Sequence, residues 1–158
     1  MHYYFAYGSN MNPDRVSGRQ MDFKHYEPGY LQGYRLAFNK RSVIYPGAAS
    51  ANVMQDTASV VEGVVYHLTD HKQIETMDPF EGYPVRYDRC LLPIQTQDQQ
   101  LNVWVYIANP EFVQEGLRPN RWYLNHLLAG RTHLSEDYYQ TIADTQCLPN
   151  TDLEPTAK

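Results

Sequence analysis

Apolar and polar positions alternate in short blocks along this chain, and the period of the blocks changes often. Tyr3-Tyr4-Phe5-Ala6-Tyr7 is an aromatic run closed by Gly8 and predicts a first strand. Asn12-Pro13-Asp14 has the order of an N-cap, a proline at the first helical position and an acid in the first turn, so a short helix should run to Gly18. Tyr34-Arg35-Leu36-Ala37-Phe38 alternates as a half-buried strand does. Pro46 and Gly47 place a loop between Arg41 and Ser50. Ala51 to Met54 reads as a short strand. Ser59 to Leu68 reads as a longer, valine-rich one interrupted by Gly63, and such a glycine marks a bulge or a close backbone approach. Thr69-Asp70 predicts a helix start, with Leu68, Ile74 and Met77 available for the inner face and Pro79 as the stop after Met77. Tyr87 to Pro93 and Leu101 to Ile107 predict a hairpin. Pro119 to Leu128, ended by Gly130, and Ser135 to Asp144 predict two further helices. Polar residues after Pro149 predict a flexible tail, 149–158.

Strands and helices in this order do not alternate regularly, which favours an α+β class over a doubly wound sheet. About six short strands could close into a barrel, but the pattern alone does not decide it. The chain has 158 residues, the size of one domain, expected over 1–148. Fourteen tyrosines against five phenylalanines suggest strands or a polar-lined cavity, since each buried hydroxyl needs a partner. Thirteen Lys+Arg against 18 Asp+Glu, with no basic run beyond Lys40-Arg41, argue against nucleic acid as a partner. Cys90 and Cys147 have no metal-type spacing and read as reduced thiols of a cytoplasmic protein. The longest apolar stretch, Val103 to Ala108, is far too short to span a membrane. The first residues lack the charged start and apolar run of a signal peptide. The six histidines show no ligand spacing, so no metal cluster is expected.

Two segments could carry chemistry. In Tyr7-Gly8-Ser9-Asn10, a glycine able to take a positive φ precedes small residues near a helix start. Several backbone N–H groups could then converge on a carboxylate or phosphate. The same residues could equally make a turn closed by the asparagine side chain. In Asp78-Pro79-Phe80-Glu81-Gly82-Tyr83-Pro84, two prolines and a glycine hold a defined turn. A carboxylate at Glu81, beside an aromatic ring, would have its charged form desolvated and its pKa raised toward proton-transfer values. The alternative is a solvent-facing loop glutamate, with Asp78 and Glu75 as rival acids.

Tyr4-Phe5-Ala6-Tyr7-Gly8-Ser9-Asn10-Met11 resembles the opening of the gamma-glutamylcyclotransferase-like family. The resemblance continues through Gly33 to Phe38, Val61 to Tyr66, Phe80-Glu81-Gly82 followed by Tyr87, the strand Val103 to Ala108, and Leu134 to Ile142. It implies a small mixed β-barrel with flanking α-helices. It also implies release of 5-oxoproline and a free amine or amino acid from a small gamma-glutamyl substrate, with no metal and no cofactor, by a monomer or homodimer. Carried over residue by residue, Glu81 would be the catalytic acid/base. The Tyr7, Gly8, Ser9, Asn10 loop would bind the glutamyl group, Tyr87 would line the pocket, and Tyr139 would be a further pocket residue. Tyr-Gly-Ser-Asn differs from the Tyr-Gly-Thr-Leu usual in the branch acting on gamma-glutamyl-lysine and from the glutathione-specific branch. That implies a general gamma-glutamyl-amino-acid enzyme or one that deprotects a gamma-glutamylated metabolite. Other readings of the same fold are an amide hydrolase or other acyl-transfer enzyme, and a binding module without chemistry.

Overall fold

A computed structural model describes residues 1–156. Among them, five strands close into a barrel in the order β1-β3-β2-β4-β5: β1 (Tyr3–Ala6), β2 (Phe23–Arg41), β3 (Ala49–Leu68), β4 (Tyr87–Gln95) and β5 (Gln100–Ala108). Neighbours run antiparallel except β1 and β5, which meet in parallel at Tyr4 and Trp104. Helices α1 (Pro13–Gly18), α2 (Gln73–Glu81), α3 (Arg121–Leu128) and α4 (Glu136–Ala143) flank the barrel. The α+β class and the mixed barrel with flanking helices are as expected. None of the helices is long and apolar enough to cross a membrane.

The short strands expected at 34–38, 51–54 and 59–68 are parts of two long ones, β2 and β3, of 19 and 20 residues. They form one hairpin paired from Phe23 opposite Leu68 to Arg41 opposite Ala49. Its register shifts between Gln32 and Tyr34 and between Ala37 and Lys40. Each shift bends the ribbon and resets which side chains face inward, so the alternation visible in sequence breaks into pieces. The first half of β2, from Phe23, was hidden because Lys24, His25 and Glu27 face outward around Pro28 and Gly29.

Inside the barrel, Gly29 and Gly63 lie directly opposite one another. A Cβ on Gly63 would sit 2.3 Å from the Ala6 carbonyl oxygen and 2.9 Å from two atoms of the Phe5 ring. The fully buried Phe5 ring occupies that space. Gly63 thus marks a close approach rather than a bulge.

Helix α2 passes through Pro79, the expected stop, and ends at Glu81. Proline removes one hydrogen bond, to the carbonyl of Glu75, but Glu75 and Pro79 both lie on the exposed side, where water takes that acceptor. Buried Ile74 and Met77 hold the opposite side. Gly82, with φ 70°, ends the helix in the left-handed region. Asn12 and Ser135 cap α1 and α4 through their side chains as expected. Of the segment 149–158 expected as a flexible tail, Thr151 and Glu154 contact the body of the protein, and residues 157–158 lie outside the described residues. The Thr151 hydroxyl and carbonyl accept from the Arg121 and Trp122 N–H groups at the start of α3, at 2.8 and 2.9 Å.

Candidate active site

Tyr7 to Asn10 leave the end of β1 and pass through a single 3-10 turn, Ser9–Met11, before α1. The N–H groups that open this turn, on Ser9 and Asn10, meet no backbone acceptor among the described residues. Gly8 does not take the expected positive φ; its φ is −114°. Its smallness serves packing, because a Cβ there would lie 3.1 Å from the Ala51 Cβ and 3.2 Å from the Tyr123 hydroxyl.

Asn10 is buried, and its side-chain amide, its side-chain oxygen and its backbone carbonyl all have partners. The side-chain amide donates to Glu81 Oε1 at 3.2 Å and to the Tyr4 hydroxyl at 2.9 Å. Its Oδ1 accepts from Arg19 at 3.1 Å, and its backbone carbonyl accepts from the Tyr66 hydroxyl at 2.6 Å. The asparagine therefore does not close its own turn. It ties that turn to the end of α2.

Glu81 is the last residue of α2, not part of a free turn. Of the three acids in this region it alone lines the cavity between the turn and α2. Asp78 is engaged by Arg89 at 2.9 and 3.1 Å and by the Tyr106 hydroxyl at 2.7 Å. Glu75 points to solvent. Burial pushes the Glu81 carboxyl above the ordinary carboxylate range, while the positive charges of Arg19 and Lys40 oppose this without cancelling it. The partial negative charge at a helix C-terminus works in the same direction as burial.

The cavity measures 190 Å³, below the roughly 300–1,000 Å³ of pockets that take drug-sized ligands, so its ligand is small. Tyr7 and Tyr87 line it, but their hydroxyls are spent on backbone carbonyls, of Tyr106 at 2.5 Å and Ala51 at 2.6 Å. Their rings shape the wall. Ser9 also lines the cavity, and none of the described histidines hydrogen-bonds to its hydroxyl. Tyr139 does not reach the site. Tyr138 and Ile142, one helical turn apart, face inward from α4, and Tyr139 is rotated away to lie against the Arg131 guanidinium at 4.3 Å.

Several cavity residues carried no signal in sequence. Arg15, Arg19, Lys40 and Arg86 all line the cavity, and Glu81 is the one acid among the described lining residues. Tyr123 on α3 accepts from the Ala51 N–H at 2.8 Å and fixes one wall. These residues are spread over the chain and converge only through barrel closure, so no local motif could reveal them. A more open depression bounded by Tyr34, Met54, Ile107 and Val113 carries no charged side chain.

On the outer face of the barrel, cross-strand pairing brings His25 and His67 together beside Glu27, contrary to the expectation of no histidine cluster. Their donor atoms all lie within 4.8 Å of one another. None of the three lines the cavity.

Residues 4–125 match the family model described as gamma-glutamyl cyclotransferase, AIG2-like. No curated protein is significantly similar in sequence. A solved structure described as a gamma-glutamyl cyclotransferase superimposes with a TM-score of 0.83 at 22% identity, over 95% of this chain and 90% of that one. An uncharacterized protein from Homo sapiens gives the same TM-score, identity and coverage. A gamma-glutamyl cyclotransferase specific to glutathione, from yeast, gives a TM-score of 0.67 at 13% identity, over 89% of this chain and 93% of that one. At these identities the three structures show a shared fold.

Proposed function

Because this chain belongs to the gamma-glutamyl cyclotransferase, AIG2-like family, we propose that it cyclises a small gamma-glutamyl substrate to 5-oxoproline and releases a free amine or amino acid, with Glu81 as acid and base. The observation that carries this reading is a single carboxyl, raised in pKa by burial, held by Asn10 of the Tyr-Gly-Ser-Asn turn in a cavity of small-metabolite size.

The chemistry needs no protein nucleophile. The substrate's own α-amine attacks the γ-carbonyl carbon and closes a five-membered ring; the bond from that carbon to the leaving nitrogen then breaks. Two protons must leave the α-nitrogen, one from the ammonium before attack and one from the ring nitrogen as the old carbon–nitrogen bond breaks; the leaving nitrogen takes up one to depart as an amine and a second once free in water. The ionised Glu81 can accept the first of these protons and deliver it to the leaving nitrogen. Such proton transfer supplies about 10²–10⁴ in rate. Holding the glutamyl chain folded in a near-attack geometry can supply roughly 7–11 kcal/mol more. The unclaimed N–H groups of Ser9 and Asn10 suit the α-carboxylate or the developing oxyanion.

The test is chromatographic. Incubation with gamma-glutamyl amines and amino acids should yield 5-oxoproline, and Glu81→Gln should lower kcat/KM by about 10²-fold or more while remaining folded. Glutamate as the product would point to hydrolysis. Ligand binding without turnover would point to a binding module. Near wild-type turnover by Glu81→Gln would remove Glu81 from the chemistry.

A further inference from the structure

The cations of the cavity are not equally occupied. Arg19 is held by the Asn10 side chain and lies over the Phe80 ring. Arg15 bonds Glu154. Lys40 is different: it is 4% exposed, lines the cavity from β2, and its amine has no hydrogen-bond acceptor and no ion-pair partner among the described residues. Its Nζ lies 5.6 and 5.8 Å from the centres of the Tyr87 and Phe112 rings. The Arg86 guanidinium, also in the cavity wall, is likewise without an acceptor.

The Lys40 Nζ is not itself fully buried but faces the cavity, so a partly desolvated ammonium stands open to an acceptor that a ligand brings. Burial, with repulsion from Arg86, already lowers the Lys40 amine to about 8, so it remains mostly charged at neutral pH. With Arg15 already paired to Glu154, Arg19, Lys40 and Arg86 face the single lining acid Glu81, an excess of two positive charges in a chain whose overall charge is −5. A gamma-glutamyl group does not neutralise that excess. Its α-ammonium and α-carboxylate cancel, and the turn at Ser9 and Asn10 suits that carboxylate. An uncharged leaving amine would leave Lys40 unpaired.

Resting on the cyclotransferase reading, we propose that Lys40, assisted by Arg86, forms an anion subsite that binds a carboxylate carried by the leaving amine. The preferred substrates are then gamma-glutamyl derivatives of amino acids rather than of simple amines. Loop residues Ser42 to Tyr45, which line the cavity next to Lys40 in sequence, place the leaving portion at the mouth.

The test pairs L-gamma-glutamyl-L-alanine with L-gamma-glutamylethylamide, which lacks only the second carboxylate. Wild-type kcat/KM should favour the dipeptide roughly ten- to hundredfold, the worth of one charge-assisted hydrogen bond, with the difference lying mainly in KM. Lys40→Met, close in shape, should bring the ratio to near unity, and Lys40→Arg should restore part of it. Arg86→Gln, at a partly buried position, should cut the same ratio less deeply and covers the case of a Lys40→Met chain that fails to fold. No wild-type preference, or unchanged ratios in the variants that fold, would overturn the subsite. If neither compound yields 5-oxoproline, the reaction assigned above falls. Calorimetric titration of the same two compounds then decides the subsite by itself: tighter dipeptide binding that is lost in Lys40→Met supports it, and equal affinities overturn it.

Discussion

At position 81 a carboxyl stands at the end of a helix, among rings, with one amide donor for company. Its raised pKa has a thermodynamic side. A carboxyl whose folded pKa exceeds its unfolded value adds stability below the unfolded pKa and loses it as pH rises through the folded one. Above the ordinary carboxylate pKa, Glu81 is therefore a net cost to the fold. Glu81→Gln should unfold no earlier than wild type at neutral pH, followed by circular dichroism. A fall larger than roughly 2–4 °C, about 1 kcal/mol in a domain of this size, would contradict the desolvation argument. Lys40 has the opposite sign. Its folded pKa of about 8 lies below its ordinary 10.5, so its cost is present below pH 8 and is relieved as pH rises toward 10.5. The chain announced Glu81 through its proline- and glycine-rich setting and its family motif. It said nothing of Lys40, because burial, a missing partner and the nearness of Glu81 depend on contacts distant in sequence.

At the scale of elements, the hairpin of β2 and β3 decides both the barrel and its interior. Phe5 fills the space over the facing Gly29 and Gly63, so the barrel there has room for one ring and nothing more. Gly63→Ala should cost about 1–3 kcal/mol, the range for overpacking a filled interior. It should appear as a lower urea midpoint with an unchanged slope, and an unshifted midpoint would show that Phe5 and Ala6 yield freely. The close approach at Gly63 was readable in the sequence. The length of the strands was not, because the register shifts near Gly33 and Lys40 interrupt the two-residue period. The extension of α2 through Pro79 was equally hidden. A proline forbids little in a last turn whose carbonyl faces water, and that turn is what delivers Glu81 to the cavity.

At the scale of the molecule, the chain beyond the family match at 125 helps to build the site. Asn120, the N-cap of α3, makes no side-chain cap bond, and Thr151 supplies acceptors to the first two N–H groups instead. Helix α3 in turn carries Trp122 and Tyr123 into the cavity wall. A chain ending at Pro149 should lose about 0.5–2 kcal/mol, the value of a helix cap, and show a higher KM as Tyr123 loosens from Ala51. An unchanged KM with a lowered melting point would confine the tail to stability. This docking was not legible beforehand, since a threonine and a glutamate in a polar run look like solvent-facing residues. The fastening of α3 by Thr151 reaches past the chemistry. Two relatives that share every residue of the cavity can diverge in catalytic vigour through their final segments alone. The segment around Thr151 is thus a place where such a site can be tuned, or spoiled, without touching a motif.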